Sequence, residues 1–451
     1  MSDPSPTLET LSHALLDAAR GAGADAADAM ALRGTSVSVD VRAGALEQAE
    51  RSEGVDIGLR VFVGQRVATV SGSDASPGTL RMMAERAIAM AREAPEDPYA
   101  GLASPEQLAR DLDMTRLELA DPAPEPSAAA LQDRALAAEA AALEVDGVSQ
   151  VSGASAYVGE RDVFLAATNG FSAGYARTDH GHYCTAIAGS GLGMERDGDS
   201  DGRVHLADLR SPEEIGARAG ARAVERLGAR KPPTGAFPVL FDERVASSLI
   251  GHLLAAINGQ SVARGASWLR EDLGTAVLPD GLDLIEDPHR LRAAGSRLFD
   301  AEGLPTQPRK IVEGGVLTGW VLDLSAARKL GMDPTANAAR GVSSGPGPTN
   351  WNIALTQGHA SRADLMRDMG TGLLVTSMIG STINPNTGDY SRGAAGMWVE
   401  NGEAAYPVNE CTIAGNLKDM LRAIQPANDA RPHLSRVVPS LLVPGMTVAG
   451  S

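Results

Sequence analysis

Strict alternation of apolar and polar residues recurs along the first half of the chain and limits what it can fold into. Ser36-Val37-Ser38-Val39-Asp40-Val41-Arg42 alternates without a break, and so does Val55-Asp56-Ile57-Gly58-Leu59-Arg60-Val61. Each segment puts an apolar row on one face of a strand and a polar row on the other, so both read as half-buried strands. Gly64-Gln65 then marks a hairpin before Val67–Val70, and further alternating stretches lie near 147–158, 161–168, 171–177 and 182–190.

Between these stretches the period changes to that of a helix. Leu8, Leu11, Leu15 and Leu16 predict a first helix over 6–22, and Leu80, Met83, Ala87 and Met90 a second over 77–93. Alanine-rich 127–143 and the segment 211–227 predict two more. Residues 94–126 hold six prolines and no sustained period, which reads as a long surface loop or linker. Arg230-Lys231-Pro232-Pro233 stops the preceding helix and marks a domain boundary, giving domains 1–230 and 231–451. The second opens with a strand at Phe237–Phe241 and a helix over 243–257. It then becomes Gly-rich, with a strand at Val316–Leu322 and a hairpin of Met397–Val399 with Ala404–Val408 around Asn401-Gly402. The expected class is α+β: a mixed helix and antiparallel-sheet domain, then a mostly β domain with a few helices.

Charge narrows the function. Forty Lys and Arg against 57 Asp and Glu leave a net charge of −17, which repels phosphate and argues against nucleic-acid binding. The longest stretches free of charged residues, Gly341–Ser361, Val245–Ala263 and Thr371–Gly388, are interrupted by polar residues, so no membrane span is expected. Two cysteines exclude a disulfide scaffold, and the first residues lack the basic and apolar regions of a secretory signal. A soluble, cytoplasmic protein is expected.

Three local motifs invite a chemical reading. Asp197-Gly198-Asp199-Ser200-Asp201-Gly202, with Asp208 at loop position twelve, has the spacing of a calcium loop, although no entering helix precedes it; an acidic hairpin tip is the plainer alternative. His180, His182 and Cys184 alternate on a predicted strand and could turn three ligands toward one zinc ion, with no fourth ligand nearby. His252 flanks the apolar stripe Val245, Leu249, Leu253 and Ile257 and reads as a partly buried structural histidine. There is no nucleophile elbow, dinucleotide fingerprint or phosphate loop.

The C-terminal third is more specific. Ile383-Asn384-Pro385-Asn386-Thr387-Gly388-Asp389-Tyr390-Ser391-Arg392-Gly393-Ala394-Ala395-Gly396 runs into Trp398-Val399-Glu400-Asn401-Gly402-Glu403, and Thr412–Leu417 follows. With Phe299–Gly303, Ser325–Gly331, Asn350-Trp351 and Leu442–Met446, these runs resemble the TldD/PmbA family, and within it the PmbA (TldE) branch. The resemblance implies a cytoplasmic, heterodimeric zinc metalloprotease acting on unfolded or extended peptides. In it the TldD-type subunit carries the metal on an H-E-x-x-x-H helix, with a later cysteine.

The matching helix here starts near Glu243. With His252 at the final histidine of that motif, Ser247 stands where the first histidine belongs and Ser248 where the glutamate belongs. The tail after Arg431 has no cysteine. A hydroxyl is a poor zinc ligand and no carboxylate base, so neither a catalytic residue nor a cofactor is expected in this chain, and zinc is expected in a TldD-type partner. The resemblance leads us to expect Asp389, Tyr390, Ser391, Arg392, Trp398, Glu400 and Asn401 at a peptide channel or subunit interface. Two other readings stay open: a stand-alone zinc hydrolase using His180, His182 and Cys184, and a non-catalytic, homodimeric peptide-binding protein.

Overall fold

Parity along one long strand sets the layering of the first half. In a computed structural model that describes residues 7–450, six antiparallel strands form one sheet: β1 (Ala26–Arg42), β2 (Ala45–Val63), β3 (Arg66–Gly72), β4 (Val148–Ala167), β5 (Ser172–Ala188) and β6 (Glu195–Arg203). Their spatial order is β3-β2-β1-β4-β5-β6. Odd-numbered side chains of β1 share one face, and four helices cover it: α1 (Leu8–Ala22), α2 (Pro77–Glu93), α3 (Ala128–Leu143) and α4 (Pro212–Glu225). The first two bury Ala27, Ala29, Ile57 and Leu59, while the other two bury Val37, Val39, Val151 and Ala156. Each helix begins at Thr7, Ser76, Ser127 or Ser211, whose hydroxyl accepts the amide N–H three residues on.

The opposite face carries Met30, Val163, Leu165 and Phe171, and these meet Leu298 and Phe299 from the second half of the chain. Residues 94–126 run as a mostly exposed loop without strand or α-helix, and part of that loop reaches this contact. Met114, Leu117 and Leu119 are buried there. They are anchored by single contacts without a repeat, so no periodicity announced them. The four strands read over 147–190 are two, β4 and β5. Charged Glu160-Arg161-Asp162 on β4 and Arg177-Thr178-Asp179 on β5 break the apolar alternation but not the ladder of hydrogen bonds.

The calcium-loop spacing lies in the edge strand β6, not in a loop. Asp197, Asp199 and Asp201 point to the helix side, where arginines of α4 and of its C-terminal cap, Arg226, repeat at intervals of four. Arg222 lies 2.7 Å and Arg218 3.7 Å from Asp199, and Arg226 lies 3.5 Å from Asp197. Alternate strand residues are about 6.6 Å apart and helix residues four apart about 6 Å, so the two rows stay in step. Arg210 adds a 2.8 Å contact to Asp199, and Arg203 lies 3.0 Å from Asp201. The carboxylates are neutralised by guanidiniums.

Residues 235–449 build a second, mixed sheet. Its central strand β7 (Gly235–Phe241) runs parallel to Gly372–Ile383 and antiparallel to Leu441–Ala449. Gly372–Ile383 continues to Asp389–Glu400 and Glu403–Asn416, and the last of these also pairs with Leu441–Ala449, closing the sheet on itself. The helix α5 (Glu243–Ala256) packs Leu249, Ile250 and Leu253 against this sheet, beside Val239, Phe241, Leu373 and Ile413. The Asn401-Gly402 turn takes the expected left-handed angles, with φ of 52° and 81°. The strand read at Val316–Leu322 is shorter, ending at Leu317, after which Trp320 and Leu322 are buried in the core outside any ladder. No helix among the described residues is long and apolar enough to cross a membrane.

Two predictions follow from this packing. A Cβ at Gly216 of α4 would lie 2.0 Å from the Ala138 carbonyl oxygen of α3. Gly216→Val should therefore cost about 3 kcal/mol of stability, read as a lower urea midpoint at unchanged slope. Burial raises the Asp199 pKa, but the Arg210 hydrogen bond and the charges of Arg222, Arg210 and Arg218 outweigh it and hold the carboxyl below 3.8. Its folded pKa lies below the unfolded one, so its stabilisation is full above about pH 4 and is lost as the pH falls through the folded value. Asp199→Asn should cost about 3 kcal/mol at pH 7 and flatten the acid limb of the stability profile.

Candidate functional site

The helix that the sequence resemblance sets against a metal-bearing H-E-x-x-x-H helix is α5, and its first turn is fixed by ion pairs. Buried Asp242 caps it, accepting the Arg244 amide at 3.2 Å and the Arg244 side chain at 2.8 Å, and it also pairs with Arg362. Glu243 meets Arg431 at 2.7 Å, and Arg244 reaches Asp197 of β6 at 3.7 Å. The helix is thus tied at once to the first sheet and to the C-terminal segment.

One turn on, the groups that a metal would need are absent. Ser248 donates its hydroxyl proton to the Val245 carbonyl at 2.7 Å. His252 lies edge-on to Tyr390 with ring centres 5.8 Å apart, and its buried Nε2 has no hydrogen-bond partner among the described residues. Burial lowers the His252 pKa, and the charge of Arg392 lowers it further. A Cβ at Gly251, one turn after Ser247, would lie 3.1 Å from Arg436 Nη1. The turn that would face a cation therefore has a guanidinium against it. One imidazole, two hydroxyls and two nearby positive charges do not fit zinc. Among the described residues no group of three or more His, Cys, Asp and Glu side chains is arranged to hold a metal ion.

The residues expected at a channel or interface divide. Tyr390 and Trp398 are each 2% exposed and belong to the core, which corrects that expectation for both. Trp398 meets Phe237 edge-on at 4.9 Å, and burial pushes the Tyr390 hydroxyl up to about 12. Asp389 accepts from Thr387 at 2.7 Å and Asn416 at 3.2 Å, tying the turn before its strand to the neighbouring strand. Arg392 donates to the Gly380 carbonyl at 2.7 Å. Ser391 is half-buried on the same strand, while Glu400 and Asn401 are exposed at its hairpin end. The sequence run thus gathers on one strand without converging on one point.

His180, His182 and Cys184 do share a face, as alternation required, but it is the face beneath the helices. Both imidazoles are buried, and burial pushes the Cys184 thiol up to about 12, with Glu139 adding to it. Asp121 lies 3.4 Å from His180 Nε2 and 3.8 Å from His205 Nδ1. A cluster that sequence reasoning missed joins the two halves of the chain. Asp28 of β1 accepts Arg60 Nε of β2 at 2.9 Å and also pairs with Arg340, whose side chain is fully buried. Nearby Glu302 is raised to about 8 by burial and then by Asp300, and burial raises Asp300 itself to about 6. The one available signal was an acid at position 28 inside the otherwise apolar run Ala26–Leu32.

Comparison with known proteins agrees with this architecture. The chain matches three family models: PmbA/TldA metallopeptidase domain 1 over residues 27–91, the central domain over 121–227 and the C-terminal domain over 234–450. It is 39% identical to the metalloprotease PmbA of Escherichia coli O157:H7, covering 94% of this chain and 92% of that protein. It is 36% identical to a PmbA homologue of Haemophilus influenzae, over 92% of this chain and 90% of that one. The crystal structure of TldE from Thermococcus kodakarensis superposes with a TM-score of 0.84, covering 97% of this chain and 99% of that one at 20% identity, so it shares the fold. By matches that together span most of its length, the chain belongs to the PmbA/TldD metallopeptidase family.

Proposed function

We propose that this chain is the non-metal subunit of a two-chain zinc metallopeptidase of the TldD/TldE type, in which a separate TldD-type chain carries the ion. The pair cleaves unfolded or extended peptides in the cytoplasm. The observation that carries this reading is the chemistry of α5: Ser247 and Ser248 stand at the places of an imidazole and a carboxylate, and Arg436 lies against the same turn. Zinc would supply activation of water and polarisation of the scissile carbonyl, and the residues that would hold it belong to the partner chain. This chain would contribute folded walls. An extended peptide is recognised by backbone hydrogen bonds along a strand edge, a mode open to a protein so rich in long strands.

The stand-alone hydrolase reading is weaker on physical grounds. His180 and His182 are 4% and 1% exposed, and the Cys184 thiol beside them is held protonated by burial, so a peptide bond has no path to that face. The homodimeric binding protein is distinguished by experiment. With a TldD-type chain expressed separately, peptidase activity on an unfolded polypeptide should appear only on mixing the two, at least ~100-fold above either alone. Equal activity in the isolated chain would support the hydrolase. Self-association with no response to the added partner would support the homodimer.

A further inference from the structure

Outside α5, the structure holds a cleft with unbalanced charge. It has a volume of about 460 Å³ and opens between β5, β6 and the two loops that carry Arg292 and His433. That is within the ~300–1,000 Å³ of small-ligand sites. Leu119, Tyr157, Val204 and Leu434 give it an apolar wall.

Its charges are unusual for a chain of net charge −17. Arg161 of β4 and Arg177 of β5 stand directly opposite each other, an arrangement in which like charges repel. No carboxylate pairs with Arg177. It donates to the carbonyls of Ala294 and Ser296 and lies 5.1 Å from the Tyr175 ring centre. Arg161 is exposed and makes no hydrogen bond or ion pair among the described residues. The other cleft arginines are matched, Arg203 by Asp201 at 3.0 Å and Arg292 by Glu118 at 2.6 Å. Asp179 is the one acid in the lining. His180, next to Asp179 on β5, borders the cleft, but its side chain turns to the helix-covered face of the sheet.

We infer that this cleft binds the free α-carboxylate of a short peptide, with the Arg161 guanidinium supplying the fork of donors, Arg177 a second positive charge, and the apolar wall a seat for the last side chain. Planar, singly charged carboxylate suits a guanidinium fork. Phosphate is disfavoured because the lining comes from strands and loops, with no helix N-terminus to offer a set of amides. The site belongs to this chain alone and does not rest on the two-chain reading.

Calorimetric titration of the full chain by itself tests this, using N-acetyl-Gly-Phe-Leu with a free C-terminus, the same peptide as its C-terminal amide, and inorganic phosphate. The free acid should bind at least ~10-fold more tightly than the amide, and Arg161→Ala should weaken it about tenfold. Arg161→Lys should recover part of the loss. Arg161 is exposed, so an unchanged thermal melt will show that each variant is folded. Equal affinity for acid and amide, absence of binding by the free acid, no effect of Arg161→Ala, or tight binding by phosphate alone would each overturn the proposal. The peptidase assay on mixed chains is unaffected by any of these results, so the two accounts fail separately.

Discussion

A carboxylate held between two guanidiniums ties the halves of this protein together. Asp28 lies on the first strand, Arg60 on its neighbour, and Arg340 comes from the C-terminal half. All three side chains are under a tenth exposed. Removing charge from water is costly, and here the cost is offset by hydrogen bonds and paired charges. The pairing also fixes register. Just beyond Arg340 the backbone crosses β2 so closely that a Cβ at Gly58 would lie 2.1 Å from the Val342 oxygen, so only glycine allows the approach. The apolar contact of Leu298 and Phe299 with the outer face of the first sheet completes the joint. Without this joint, the cleft, which draws its lining from both halves, would lose its shape.

Much of this fold was legible in the sequence. Alternation located β1 and β2, helical spacing placed all four helices of the first half to within a few residues, and Asn401-Gly402 announced its own hairpin. These features are local and follow from side-chain periodicity and backbone sterics. What was not legible depends on distant partners. The Asp197–Asp201 row looks like a metal loop until the α4 arginines are placed beside it. Residues 94–126 bury Met114, Leu117 and Leu119 singly, so nothing periodic distinguishes them from a linker. Asp28 and Arg340 lie far apart along the chain, and no spacing rule joins them.

The same division applies to the site. The hydroxyls of Ser247 and Ser248 could be read from the sequence once the helix was aligned with the family pattern. The guanidinium of Arg436 against Gly251 could not, because it arrives from the far end of the chain. It matters physically, because a fixed positive charge against that turn repels a cation there. Tyr390 and Trp398 show the converse. Their motif is specific to the family, yet both side chains are consumed in packing, so the motif reports how this domain folds as much as what it does.

Whether α5 holds an ion decides the account. The direct measurement is titration of the purified full chain with zinc, with bound metal counted after gel filtration and repeated on His252→Ala. The account predicts no tight equivalent that depends on His252. One tightly bound zinc per chain, lost in His252→Ala, would contradict it.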